Sequence, residues 1–189
     1  MKRFVTLSVF IAVAIIAWWS TLEDDSDTQQ LQQSANQPYI EIFMNKFEIT
    51  TMDESGTPAY TLNGEHLQKY NDTDDTEIQQ PVLQLLQNVN SQNDSQWRIS
   101  ADSAIVNDKN ETIQLMKNVV MQQQNIEPAV TIRTQALLIH TDTQIARTKA
   151  AVEITQGKSH LKSNGMIYNN NIGELELSSN VSGHFLRQP

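Results

Sequence analysis

Residues 132–138 read IRTQALL, and the same register recurs as LNGEHLQ at 62–68, ISADSAI at 99–105 and LKSNGMI at 161–167. Each copy opens on an aliphatic residue and places an apolar or small residue five positions on: Leu67, Ala104, Leu137 and Met166. Twenty residues after each opening position stands a valine, at Val82, Val119, Val152 and Val181. The copies lie 37, 33 and 29 residues apart, so length varies between units while the 20-residue interval does not. A strand, a polar turn and a returning strand, used four times, account for that pattern. A single hairpin cannot bury its apolar face, whereas stacked units share one interior.

Around the repeats, alternation with period two marks further strands. Ile40, Ile42 and Met44 share a face, and Trp97–Ala101, Ile113–Leu115 and Glu174–Leu177 alternate likewise. Asp53–Gly56, Asn107–Asn110, Gln156-Gly157 and Asn169–Asn171 carry turn residues. The expected class is all-β, built from repeated antiparallel strand pairs. Periodicity alone leaves two packings open: a closed sandwich, or sheets that splay apart around an elongated apolar slot.

The N-terminus has a different character. Met1-Lys2-Arg3 precedes a run without charge, Pro or Gly from Phe4 to Trp19. Extended to Leu22 it would form a helix about 28 Å long, near the ~30 Å of a bilayer core. Lys2 and Arg3 would stay in the cytoplasm, with Trp18-Trp19 at the far interface. Ala12-Val13-Ala14 spells a possible signal-cleavage site, but the apolar run continues past it, which favours an uncleaved anchor. The expected organisation is a transmembrane anchor over 1–22, an acidic and Gln-rich tether over 23–38, and a β domain over 39–189.

Composition narrows the function. The 189 residues hold 13 basic and 22 acidic side chains, a net charge of −9, opposite to what a nucleic-acid binder needs. The absence of cysteine excludes thiol catalysis, disulfide scaffolds and Cys-ligated zinc. His66, His140, His160 and His184 lack metal-ligand spacing, and Asp24-Asp25 and Asp74-Asp75 fit solvated carboxylates better than a catalytic pair. Neither a nucleophile elbow nor a phosphate-binding glycine motif occurs. The expectation is a non-enzyme without metal or cofactor. Charge is uneven: Glu48 to Glu111 holds 12 acids and 3 bases, whereas Arg133 to Lys162 holds 5 bases and 2 acids.

The anchor, the tether and the strand repeat together resemble the LptC family, inner-membrane-anchored lipopolysaccharide-export proteins. The local matches are Gly56, Tyr60, Leu62 and Gln80-Pro81-Val82-Leu83, then Trp97 with Ala101-Asp102, Gly157, Gly165 and Glu174-Leu175. The resemblance implies an open, twisted β-jellyroll whose two sheets enclose an apolar groove for lipid A acyl chains. It implies that the chain receives lipopolysaccharide from an inner-membrane ABC transporter and passes it to a soluble periplasmic bridge protein of the same fold. The bulk of the chain would then be periplasmic. Groove-lining positions carry over to Phe47, Ile78, Gly173 and Phe185, and Gly157 to a turn on the transporter side. Gln122-Gln123-Gln124 departs from the family's more apolar pattern. An alternative is a membrane-tethered scaffold of an envelope complex, with a closed core and no lipid cargo.

Overall fold

A computed structural model describes residues 38–52, 55–85 and 96–184. The expected anchor, the expected tether up to residue 37, and Phe185 lie outside the described residues.

Eleven antiparallel strands follow one another: β1 (Ile40–Met52), β2 (Pro58–Tyr70), β3 (Asp75–Gln79), β4 (Val82–Leu85), β5 (Trp97–Ser100), β6 (Ser103–Asn107), β7 (Thr112–Gln123), β8 (Val130–His140), β9 (Ile145–Gln156), β10 (Ser159–Asn169) and β11 (Glu174–His184). The described residues are all-β, as the period-two alternation predicts, and their architecture is jellyroll-like. Turns at Ser55-Gly56, Asp108–Glu111, Gly157-Lys158 and Asn170–Gly173 separate consecutive strands, each overlapping a predicted turn.

The sheet forks between β2 and β7. The N-terminal half of β2 pairs with β4, which pairs with β5, which pairs with the C-terminal half of β7. The C-terminal half of β2 pairs instead with β3, then β6, then the N-terminal half of β7. Two half-sheets result. Arm one contains β4 and β5, and arm two contains β3 and β6. The long strands β1, β2 and β7 to β11 each run through both arms and turn at a crease between them.

The repeat spacing explains the crease. Five steps is an odd number, so in a flat strand the opening residue and its +5 partner would point to opposite faces. In β8 the buried positions are Ile132 and Thr134 before the bend, then Leu137 and Ile139 after it. In β10 they are Ser163 before it, then Met166 and Tyr168. Each outgoing strand thus changes phase by one residue, and both halves then face inward. The returning strands β7 and β9 keep their phase, with Ala146, Val152 and Ile154 buried in β9, whereas the return through β3 and β4 also changes phase, from Ile78 to Leu83. Five residues on one strand face six on its neighbour, so the register shifts at the crease, between Met116 and Val119, Arg133 and Leu138, and Asn164 and Met166. Such shifts are β-bulges, which bend a strand locally. Lys46, Gln80, Lys117, Asn118, Gly165 and Asn180 take positive φ along this line.

Broken ladder bonds at the crease need other partners. The buried Ser163 hydroxyl donates to the Gly165 carbonyl at 3.0 Å, and Thr134 Oγ1 to the Ala136 carbonyl at 3.5 Å. Thr148 Oγ1 accepts from the Ala150 amide at 3.1 Å.

Candidate functional site

Two apolar ladders line the space between the arms. In arm one, directly opposed residues run Ile49, Leu62, Leu83, Ile99, Met121, Ile132, Ile154, Leu161 and Gly183. In arm two they run Met44, Leu67, Ile78, Ala104, Leu115 and Leu137; β9 supplies Thr148, which faces Met166, and Met166 faces Leu177. The opening residues of all four repeats stand on the first ladder, and all four +5 residues stand on the second. Each fully buried aliphatic side chain contributes about 1.5–3 kcal/mol, so this interior is the main source of stability.

Burial along the ladders is graded. Leu83, Ile99, Met121, Ile132, Leu115 and Leu137 are at most 1% exposed, whereas Ile49 at one end is 38% exposed and Val181 beside the other is 53% exposed. The apolar interior is closed in its middle strands and reaches solvent toward β1 and β11. Among the described residues, both of these strands pair on one side only. β1 also presents Ile40, Ile42, Phe43 and Met52 to solvent.

One buried polar pair joins the arms. Trp97, at the start of β5 in arm one, donates its indole Nε1–H to the Tyr168 hydroxyl of β10 in arm two at 2.7 Å. The rings meet edge to face with centroids 5.3 Å apart. Desolvation by burial raises the Tyr168 pKa above the ordinary tyrosine value, and the Trp97 hydrogen bond works against that rise. Tyr60, Leu85, Ile113, Ile139 and Asn170 are among the residues lining a cavity of about 20 Å³.

Of the expected lining residues, Phe47 and Ile78 come together. Phe47 lies opposite Gly64, and a Cβ built on Gly64 would stand 2.8 Å from Ile78 Cγ2 and 3.0 Å from Phe47 Cε1. Gly64 is therefore the gap into which both side chains pack, and both are buried. Gly173 lies elsewhere, in the exposed β10–β11 turn with φ +68°, and β6, β7, β8 and β9 stand between that hairpin and Ile78. A left-handed turn accounts for glycine there. Gly157, with φ +57°, opens the two-residue β9–β10 turn on the outer rim of arm one. Gln122 and Gln123 fall at the end of β7, opposite Arg98 and Trp97.

Sequence reasoning missed the Trp97–Tyr168 pair. The available signal was the rule that a buried Trp or Tyr needs a polar partner, although it does not say which one. It also missed the groove on the opposite face, where Arg133, Glu153 and Lys162 stand in a cross-strand row. Lys162 Nζ lies 3.6 Å from Glu153 Oε1. With Asn118, Gln135, Asn164 and Asn180, and with apolar stretches at Val119-Val120 and Ala151-Val152, this row lines a groove of about 610 Å³ along the crease. Among the described residues, no group of three or more His, Asp or Glu side chains could hold a metal ion, and no helix is long and apolar enough to cross a membrane.

A protein-family model described as Lipopolysaccharide-assembly, LptC-related, matches residues 9–186. No curated protein matches the chain. The match takes in all eleven strands, both ladders and the Trp97–Tyr168 pair, and it agrees with the resemblance carried by Gln80-Pro81-Val82-Leu83 and the four repeats: this chain belongs to the LptC-related family of lipopolysaccharide-assembly proteins.

Proposed function

We propose that the chain is a membrane-tethered conduit that holds the acyl chains of lipopolysaccharide between its two arms. In this reading it takes its cargo from an inner-membrane ABC transporter and passes it to a soluble periplasmic protein of the same fold. The observation that carries the proposal is the pair of apolar ladders running strand by strand from β1 to β11 and opening to solvent at both ends. Apolar burial without directional contacts suits a carrier, since each CH₂ contributes about 0.8 kcal/mol wherever it sits along the row. The single-sided pairing of β1 and β11 supports a chain of like domains joined edge to edge, because an unpaired edge can accept another strand. We assign the β1 edge and the Gly157 rim to the transporter side, and the β11 edge to the soluble partner. Phe47 and Ile78 line the cargo path. Gly173, at the β10–β11 turn, and Phe185 are assigned to the same path by the family resemblance. The N-terminal segment would anchor the chain in the inner membrane with the β domain in the periplasm.

A second reading rests on the filled middle of the interior, where Ile99, Ile113, Leu115 and Met166 have no exposed surface. A closed core of that kind also suits a tethered scaffold without cargo. Acyl chains can enter such an interior only if the arms part at the crease. A photocrosslinking amino acid at Phe47 or Ile78, with a control at the exposed Glu48, separates the two readings. Lipopolysaccharide captured from the interior positions and not from Glu48 supports the conduit. Equal capture at all three, or none, supports the scaffold.

A further inference from the structure

The groove along the crease lies on the face opposite the ladders, since Arg133 and Lys162 are exposed while their neighbours Ile132, Thr134 and Ser163 are buried. Its volume of about 610 Å³ is within the range of small-molecule sites. Its walls carry amides and charges with few competing bonds. Among the described residues, the side chains of Gln135, Asn164 and Asn180 and the Arg133 guanidinium make no hydrogen bond or ion pair. Asn118 already donates to Asp102 Oδ2 at 2.8 Å, and Lys162 shares Glu153. The bulges that form the crease also aim these side chains, because Asn118 and Asn180 both sit at φ +49° and Asn164 precedes Gly165 at φ +87°.

We propose that this groove binds a saccharide bearing one acidic group, a phosphate or a carboxylate. Free amides offer both donors and acceptors, which match vicinal sugar hydroxyls. Arg133 supplies a fork for the acidic group. Glu153, between the two cations, repels a bare anion but accepts hydrogen bonds from sugar hydroxyls. Among the described residues, no aromatic side chain lines the groove to stack on a neutral sugar ring. The site is independent of the acyl-chain path, since it lies on the other face of the sheet.

The test is ligand-observed saturation-transfer NMR on the full chain in detergent micelles. The probes are glucose 6-phosphate, glucuronate, glucose and inorganic phosphate. Glucose 6-phosphate and glucuronate should bind saturably, and glucose and phosphate should bind at least several-fold more weakly. Arg133→Gln should weaken the acidic sugars about tenfold, the size of one charge-assisted contact, and Asn164→Ala should weaken them by a smaller factor. Lys109→Gln, on the β6–β7 turn, should leave binding unchanged. Competition then identifies the source. Displacement by deacylated lipopolysaccharide saccharide points to the cargo's own sugars, displacement by trigalacturonate alone points to a free acidic glycan, and displacement by neither overturns the proposal. Inorganic phosphate binding as well as glucose 6-phosphate would overturn it, as would full binding in both Arg133→Gln and Asn164→Ala.

Discussion

Replacing Tyr168 with Phe removes one oxygen from the contact that joins the arms. The ring stays, so the edge-to-face packing on Trp97 persists, while the Trp97 indole N–H loses its acceptor in a site where Trp97 is only 4% exposed. An orphaned buried donor costs about 1–3 kcal/mol. A loss near 2 kcal/mol would lower Tm by roughly 4–8 °C in a protein of this size. Trp97→Phe should cost about 2–4 kcal/mol, because it deletes ring volume and orphans the Tyr168 hydroxyl. The decisive variant is the double one. Once Trp97 is Phe, no indole N–H remains to be orphaned, so adding Tyr168→Phe should cost under about 0.5 kcal/mol. Urea denaturation of the full chain in detergent, followed by far-UV circular dichroism, supplies the four stabilities. If Tyr168→Phe costs the same in both backgrounds, the hydrogen bond does not couple the arms and the reasoning fails.

The same residue sets an alkaline response. The folded-state pKa of Tyr168 is raised by burial, so the fold favours the protonated phenol; its contribution is complete below about pH 10, the unfolded value, and is lost as pH rises through the folded value. Tyr168→Phe should flatten the fall in stability above pH 10, and an unchanged pH profile would contradict the assignment. Gly64→Ala places a methyl 2.8 Å from Ile78 Cγ2 and should cost about 1–3 kcal/mol through overpacking, read as a lower urea midpoint. Ser163→Ala leaves the Gly165 carbonyl at the crease without its 3.0 Å donor and should cost about 1 kcal/mol in the same assay. Truncation after Ser178 removes the second half of β11, so under the proposed function it should abolish capture of a soluble partner while assembly with a transporter persists; retained capture would reverse the proposed assignment of ends.

The pairing of each outgoing strand with its return was legible in the 20-residue interval, because it measures the distance from an outgoing strand across its turn to the crease on the return. Val119 and Val152 stand there, opposite Thr134 and Ser163. The +5 interval was visible too, but its meaning was not. An odd spacing reads as a change of face until a bulge is known to sit inside it. Residue type announces that bulge poorly: Lys46, Gln80 and Lys117 adopt positive φ although none of them favours it, and only Asn118, Asn180 and the Asn164-Gly165 pair carry a local preference. Phe47 and Ile78 were singled out only through the family resemblance, and their meeting over Gly64 depends on long-range pairing that local pattern does not encode. The crease groove was hidden for the same reason, since its residues come from five strands and each looks alone like an ordinary solvated side chain.

Because every long strand lays one residue on each wall, the interior is countable. Nine strand positions line either arm, and at about 4.8 Å per strand they give a path of roughly 38 Å. A duplication or deletion of one unit would lengthen or shorten both walls by the same two strands, near 10 Å, without offsetting one ladder against the other. Length in this architecture can therefore change in whole steps while width stays constant, much as a ruler is extended by graduations and not by stretching.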